Sequence, residues 1–134
     1  MISGISHITL IVKDIEKTAK LFVSIFDAEI KYFSGLKTFS ISPEIFLTIN
    51  GVWIALMQGE PLKERTYNHV AFKSDVETFA DYVNKIKAAG VEIKESRSRI
   101  EGEADSIYFY DYDNHLFEIH SGTLERRLDS YTRY

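Results

Sequence analysis

The chain has 134 residues, 45% of them hydrophobic, which is enough for one domain to bury a core without covalent staples. It contains no cysteine, so disulfides, thiolate nucleophiles and zinc fingers are excluded. The formal net charge of -4 at pH 7 argues against a dedicated surface for nucleic acid or anionic membranes. No apolar run approaches the length of a membrane span and no signal-like pattern opens the chain, so we expect a cytoplasmic protein without membrane or nucleic-acid partners.

The first half of the chain predicts one strand, one helix and several short strands. Residues 4–12 alternate between apolar and polar as a strand does, and Asp14 then stands at the N-cap of an amphipathic helix that ends near Asp27. The pair Asn50 and Gly51 predicts a hairpin because both residues accept positive φ. The strands predicted after the helix are residues 29–33, 38–42, 46–50 and 52–57.

The second half repeats this order. A strand at residues 67–73 leads to a capping box at residues 74–77 and a helix that ends at Gly90. Strands follow at residues 91–95, 106–110 and 116–121. The repeat predicts an α+β fold of two tandem βαβββ modules, each with a curved, mostly antiparallel sheet and its helix outside. We predict one domain over residues 1–134, made of module one (about 1–58), a linker (about 59–65), module two (about 66–125) and a C-terminal tail.

Two histidines occupy equivalent places in the duplicated strands. His7 lies near the start of the first strand and His69 near the start of its repeat, and side-chain alternation places each on the face opposite the predicted core. Glu118 has the same position relative to its apolar neighbours on the last strand. Two histidines and one carboxylate suit a divalent first-row metal and leave coordination positions for a substrate. No local ligand motif joins the three, so the residues alone leave structural or exposed histidines as the other interpretation.

A wider combination of residues extends this set. In order along the chain it is His7-x-Thr9, Tyr67-x-His69, the run Ser106 to Asp111, and His115-Leu116-Phe117-Glu118 followed by Gly122, Leu124 and Arg127. The combination resembles the fosfomycin-resistance enzymes of the vicinal oxygen chelate, or glyoxalase and bleomycin resistance, superfamily. The resemblance runs from the first strand to about Leu128, nearly the whole chain. Within that family it is greatest to the FosX type, whose first module carries a carboxylate base, and Glu44 occupies the matching position.

The resemblance implies a metal-dependent epoxide hydrolase that confers antibiotic resistance. Its substrate would be fosfomycin, an epoxide phosphonate, opened by water to a diol with Mn²⁺ or another divalent first-row metal as cofactor. By the same resemblance His7, His69 and Glu118 are the metal ligands and Glu44 is the general base. Thr9 is a second catalytic position, because a threonine there assists the nucleophile in the thiol-transferring relatives.

The resemblance also implies a set of residues that hold the substrate. An arginine can engage two oxygens of a phosphonate at once. The thiol-transferring relatives carry a lysine where Ser98 aligns, so Arg97 or Arg99 would supply that charge, and Gly102 stands where their potassium-binding loop has a serine. The implied substrate-binding residues are Trp53, Tyr67, Arg99, Ser106, Tyr108 and Arg127.

Three other functions stay open on the sequence. The first is a thiol transferase of the same family that uses glutathione, bacillithiol or cysteine, and the second is a non-catalytic module that binds an antibiotic. The third is a dioxygenase, which also uses two histidines and one carboxylate. The resemblance further implies a homodimer with shared active sites, in which His7 of one subunit completes the site formed by His69 and Glu118 of the other.

Overall fold

The computed structural model of the protein describes residues 1–95, 99–101 and 103–133, so the predictions for Arg97, Ser98 and Gly102 lie outside the described residues. The chain divides into two compact units, Met1–Lys63 and Glu64–Tyr134. Each unit contains a four-stranded sheet and the order of elements expected of a βαβββ module. The predicted α+β fold is therefore confirmed.

Unit one is built from a strand, a helix and three further strands. The helix begins after Asp14, whose side chain accepts a hydrogen bond from the backbone N–H of Lys17 at 3.0 Å, and it ends at Asp27 with a φ of 54°. The sheet has the strand order β1-β4-β3-β2, with β1 parallel to β4 and the other pairs antiparallel. The elements are β1 (His7–Val12), α1 (Ile15–Phe26), β2 (Glu29–Phe33), β3 (Glu44–Ile49) and β4 (Val52–Gln58).

The core of unit one lies between α1 and one face of this sheet. Phe22 and Ile25 of α1 are buried there, as are Leu47 of β3 and Leu56 of β4. Because strand side chains alternate, the residues between these core positions point to the opposite face of the sheet. The other face carries polar and aromatic side chains together with Ala55 and Met57.

The strand predicted at residues 38–42 is wrong. Residues 39–42 form bends instead, and β2 pairs directly with β3. The apolar side chains of Leu36, Phe39 and Ile41 are exposed. Both edges of β3 are taken by β2 and β4, so the segment has no position beside it, and an alternating pattern without a neighbouring strand does not form a ladder.

Unit two repeats the module and adds a helix. Its sheet has the order β5-β8-β7-β6, with β5 parallel to β8. Phe109, Phe117 and Ile119 from one sheet face and Ile86 from the helix are buried as its core. The elements are β5 (His69–Lys73), a 3-10 turn (Val76–Thr78), α2 (Phe79–Ala88), β6 (Ile93–Lys94), β7 (Ser106–Tyr110), β8 (Leu116–His120) and α3 (Leu124–Tyr131).

The start of the second helix differs from the prediction. Asp75 makes no side-chain capping bond, and the hydroxyl of Ser74 instead pairs with that of Thr78 at 2.9 Å. A single 3-10 turn therefore precedes α2, which ends as predicted before Gly90 at a φ of 74°. In the part of the chain that the structure describes, no helix combines the length and the apolar character needed to cross a bilayer.

Candidate metal and substrate site

One face of the sheet in unit two carries most of the predicted site residues. The sheet register pairs Glu118 with Tyr108 on one side and with Ala71 on the other, and it pairs His120 with Ser106. Residues paired across strands point to the same face, so these side chains lie together, while the residues between them form the core on the other face. The fold itself thus turns Glu118 away from the core, although it is only 5% exposed.

His69 and Glu118 are in direct contact. Nδ1 of His69 lies 2.6 Å from the carbonyl oxygen of Tyr67, which only a protonated nitrogen can approach, so Nδ1 donates. Nε2 then faces Oε1 of Glu118 at 2.9 Å. The lone pair of Nε2 and the carboxylate oxygen repel each other at this separation unless a cation lies between them. That cation is either a proton on Nε2 or a metal ion. Neighbouring ligands on an octahedral first-row metal stand about 3 Å apart, so the pair fits a metal.

The surroundings of Glu118 keep it ionised. Burial of the carboxylate acts to raise its pKa, but the hydrogen bond from Ser106 and the electrostatic effect of the neighbouring His120 and His69 rings outweigh burial, so the pKa lies below its ordinary value. Oε2 accepts the hydroxyl proton of Ser106 and lies 3.2 Å from Nδ1 of His120. A charged carboxylate on an inner sheet face is the form that ligates a cation.

Arg99 lies beside this carboxylate. Its Nη2 donates to the hydroxyl of Ser106 at 2.8 Å and to that of Tyr108 at 3.3 Å, and it lies 3.7 Å from Oε2 of Glu118. The structure therefore brings Arg99 to the predicted substrate side.

Two tyrosines extend the same face. The hydroxyls of Tyr67 and Tyr108 are 3.0 Å apart, and the ring of Tyr67 also contacts that of His69. Burial, together with the hydrogen bond to Tyr67 and the charge of Glu118, raises the pKa of Tyr108. Tyr108 therefore stays a neutral phenol that can donate a hydrogen bond.

A pocket of about 340 Å³ opens beside these residues. It is lined by His69, Glu118 and His120 and by Arg127 of α3. Nη2 of Arg127 lies 3.3 Å from Nε2 of His120. Burial lowers the pKa of His120, and the charges of Arg127 and Arg99 lower it further, against the opposing effect of Glu118. His120 has no role among the sequence predictions, although its position two residues after Glu118 places it on the same sheet face.

The polar face of unit one carries the remaining predicted residues. The register pairs His7 with Trp53 and Thr9 with Ala55, so all four side chains lie on the face opposite the core. The rings of His7 and Trp53 stack at 4.2 Å between centroids. Nε1 of Trp53 is buried and has no hydrogen-bond acceptor among the described residues. An unpaired indole donor of this kind is open to a ligand.

Glu44 begins β3 on the same face and is only 7% exposed. Its register partner is Met57, one row along the sheet from the row of Thr9 and Ala55. Ser34 clamps its backbone twice, because the N–H of Ser34 donates to the carbonyl of Glu44 at 3.0 Å and the N–H of Glu44 donates to the hydroxyl of Ser34 at 2.9 Å. No sequence pattern pointed to Ser34, since ten residues separate the pair.

The predicted ligands are divided between the two units. Unit one contributes His7, and unit two contributes His69 and Glu118. Taken by itself, neither unit brings together three or more metal-ligating side chains among its described residues.

Comparisons with known proteins give the same family as the sequence pattern. The model of the Glyoxalase/Bleomycin resistance protein/Dioxygenase superfamily matches residues 4–119. The chain is 60% identical over 131 residues, 98% of either chain, to the fosfomycin resistance protein FosX of Listeria innocua. It is 56% identical, with a TM-score of 0.90 over 98% of this chain and 99% of the other, to a crystal structure of a mutant FosX from Listeria monocytogenes complexed with Mn(II) and 1S,2S-dihydroxypropylphosphonic acid. The metallothiol transferase FosB of Bacillus licheniformis is 32% identical over 97% of this chain and 82% of its own length.

Proposed function

Because the chain belongs to the FosX fosfomycin resistance proteins of the Glyoxalase/Bleomycin resistance protein/Dioxygenase superfamily, we propose that it is a Mn²⁺-dependent hydrolase that opens the epoxide ring of fosfomycin with water. One observation carries the proposal. A relative of 56% identity is complexed with Mn(II) and a dihydroxypropylphosphonic acid, and a vicinal diol is what water addition to an epoxide yields. The far lower identity to a metallothiol transferase favours water over a thiol as the nucleophile.

His7, His69 and Glu118 are the residues that would hold the metal. The contact between Nε2 of His69 and Oε1 of Glu118 supports this, because a cation belongs between those two atoms. The hydrogen bond from Nδ1 of His69 to the Tyr67 carbonyl fixes the ring with Nε2 toward the site. When bound, the metal ion supplies Lewis-acid stabilisation of the oxygen that leaves carbon.

Glu44 is the residue that accepts the proton of the attacking water. As the water oxygen bonds to a ring carbon, the bond from that carbon to the epoxide oxygen breaks, and a water proton passes to a carboxylate oxygen of Glu44. The epoxide oxygen then takes up a proton, so the product is a diol. Glu44 is buried at the start of β3, and its two hydrogen bonds with Ser34 hold its backbone in place for this role.

Positive and neutral donors on unit two would hold the phosphonate. Arg127 lines the pocket beside Glu118, and Arg99 lies on the same face with Tyr108 as its neighbour. Arginine forks match the oxygens of a phosphonate, and a neutral phenol adds a donor without adding charge. These groups offset the repulsion that a chain of net charge -4 would otherwise exert on an anion.

The substitution Glu44→Gln tests the proposal directly. We expect purified wild-type protein with Mn²⁺ to convert fosfomycin to the diol in thiol-free buffer, and the variant to lose at least about 100-fold in kcat because an amide cannot accept the proton. Phosphorus NMR measures the product, and calorimetry should show unchanged Mn²⁺ affinity. Glu29→Gln, an exposed acid on the edge strand of the same sheet, is the matched control.

Two outcomes would contradict the hydrolase. One is wild-type protein that forms no diol with Mn²⁺ present. The other is turnover that requires glutathione, bacillithiol or cysteine and yields the thiol adduct, which identifies a thiol transferase. Binding of fosfomycin without any turnover would identify the antibiotic-binding module instead.

We also propose that the active unit is a homodimer with shared sites. Support comes from the division of the ligand set, with His7 in unit one and the contact pair His69 and Glu118 in unit two. Two copies of the chain related by a two-fold axis can pair unit one of each copy with unit two of the other, which makes two equivalent sites.

A further inference from the structure

Both ring nitrogens of His120 are engaged in hydrogen bonds of fixed direction. Nε2 lies 3.3 Å from Nη2 of Arg127, and Nδ1 lies 2.7 Å from the hydroxyl oxygen of Ser106. A guanidinium can only donate, so Nε2 must be the acceptor and carries no proton. The proton of the ring is therefore on Nδ1, whose shortest contact is with Ser106, although Oε2 of Glu118 lies 3.2 Å away and the ring also has a hydrogen bond with the backbone of Asp105.

The hydrogen bonds continue in the same donor-to-acceptor direction through Ser106. Its hydroxyl oxygen accepts from Nδ1 of His120 and from Nη2 of Arg99, the latter at 2.8 Å, which uses both of its lone pairs. Its one proton is directed to Oε2 of Glu118. Four side chains thus form a single directed chain in which Arg127 donates to His120, His120 donates to Ser106, and Ser106 donates to Glu118.

On the basis of the proposed function, we propose that His120 is a positioning residue whose neutral Nδ1–H tautomer joins the phosphonate-holding Arg127 to the metal-ligating Glu118 through Ser106. His120 touches neither the reacting carbon nor the leaving oxygen in this role. It sets the orientation of the two groups that do hold substrate and metal.

The backbone makes room for this ring. A Cβ added to Gly122 would lie 2.8 Å from Nε2 of His120 and 2.6 Å from Cβ of Ala104, both closer than real Cβ contacts allow. The imidazole side chain is only 16% exposed. Glycine at this position therefore lets the ring of His120 pack against the chain with Nε2 aimed at α3.

Two amide variants separate the two hydrogen bonds of the ring. In His120→Asn, the side-chain N–H takes the place of Nδ1 and still donates to Ser106, but nothing accepts from Arg127. In His120→Gln, the longer amide reaches the place of Nε2 and accepts from Arg127, but the donor to Ser106 is lost. The two variants are nearly equal in polarity, so a difference between them reports the direction of the chain rather than the loss of a histidine.

We expect each variant to weaken the binding of a different ligand, methylphosphonate in one case and Mn²⁺ in the other. The asparagine variant should weaken binding of methylphosphonate, and raise the fosfomycin KM, by about tenfold while Mn²⁺ affinity stays within about twofold. The glutamine variant should weaken Mn²⁺ binding by about tenfold, because Ser106 no longer orients Glu118, with a smaller effect on methylphosphonate. Calorimetry on the wild type and both variants measures the two affinities.

Nitrogen-15 NMR of the metal-free wild type gives a readout that does not depend on activity. The signals of His120 should show a protonated Nδ1 and an unprotonated Nε2. His115→Asn is the control, because His115 pairs with Asp111 at 2.8 Å in the turn between β7 and β8 and its loss should lower stability without changing either affinity.

Several results would overturn the inference. They are a protonated Nε2, equal effects of the two amide variants on both ligands, or affinities unchanged in both variants. Failure of the proposed function is a separate result, namely wild-type protein without diol formation, and the binding and NMR measurements test His120 whether or not turnover occurs.

Discussion

Arg99 has more hydrogen-bond donors than its neighbours accept. Its Nη2 bonds to Ser106 and Tyr108, but Nε and Nη1 are buried without an acceptor among the described residues. The nearest carboxylate to Nη1, that of Glu103, is 3.6 Å away and completes an ion pair rather than a hydrogen bond. Buried donors left without an acceptor are costly, and under the proposed function the oxygens of the phosphonate are the acceptors for Arg99.

The substitution Arg99→Lys tests whether the guanidinium of Arg99 holds the phosphonate. Lysine keeps the positive charge beside Glu118 and Glu103, so the fold is retained, but it loses the planar fork. We expect the fosfomycin KM to rise about tenfold, with a smaller change in kcat, in steady-state assays. Arg126→Lys, on α3 but outside the pocket lining, should leave KM unchanged. An Arg99→Lys enzyme with the wild-type KM would show that Arg99 has only a structural role.

Helix α3 determines the position of Arg127, the second positively charged side chain beside the pocket. Residues beyond about 125 were predicted as a tail, whereas the structure forms a helix over Leu124–Tyr131 that carries Arg127 in its first turns. The hydroxyl of Thr123 caps it by accepting from the N–H of Arg126 at 3.2 Å, and Ser130 ties it to unit two by donating to the carbonyl of Glu101 at 2.7 Å. The cap therefore lies one turn from the guanidinium that lines the pocket.

Removal of this cap should affect substrate binding as well as stability. Thr123→Ala leaves an N–H at the start of α3 without its acceptor and should cost about 1 kcal/mol of folding stability. Because the frayed turn carries Arg127, we also expect KM to rise about twofold, since a third to a half of that cost falls on the bound geometry. Asp14→Ala removes the equivalent cap of α1 and is the control: it should lower the melting temperature with KM unchanged. Equal KM values for Thr123→Ala and Asp14→Ala would show that the cap of α3 does not affect substrate binding.

At the scale of the whole molecule, the proposed machinery is divided between two units. Glu44 and His7 belong to unit one, whereas His69, Glu118 and Arg127 belong to unit two. Each unit alone therefore has either the base or the anion-holding charges.

Mixing two inactive variants tests whether the halves come from different subunits. His7→Ala and Glu118→Gln should each be inactive with Mn²⁺. If His7 of one subunit completes the site of the other, a mixed dimer has one intact and one doubly defective site. Random mixing after unfolding and refolding should then restore about a quarter of wild-type activity, because half of the dimers are mixed and each has one of its two sites intact. Mixtures that stay inactive would place all ligands of a site on one chain.

Much of the fold follows from periodicity that is local in the sequence. The helix of residues 15–26 is predicted by its cap and its apolar spacing, and β7 is predicted with its observed bounds. The same alternation predicts that Glu118 faces away from the core, and the ordered motifs predict the family that the comparisons confirm. These features need only the geometry of a single helix or strand, which any short segment of chain carries within itself.

Other features were decided by the tertiary structure alone. Residues 38–42 have the pattern of a strand but pair with no strand, and pairing is a property of the neighbours rather than of the segment. Side-chain alternation along β8 places His120 on the same sheet face as Glu118. It does not predict the series of hydrogen bonds that leads from Arg127 through His120 to Glu118. That chain depends on hydrogen bonds between side chains of three different elements, and such bonds form only within a few tenths of an ångström, a precision that packing sets and sequence spacing does not.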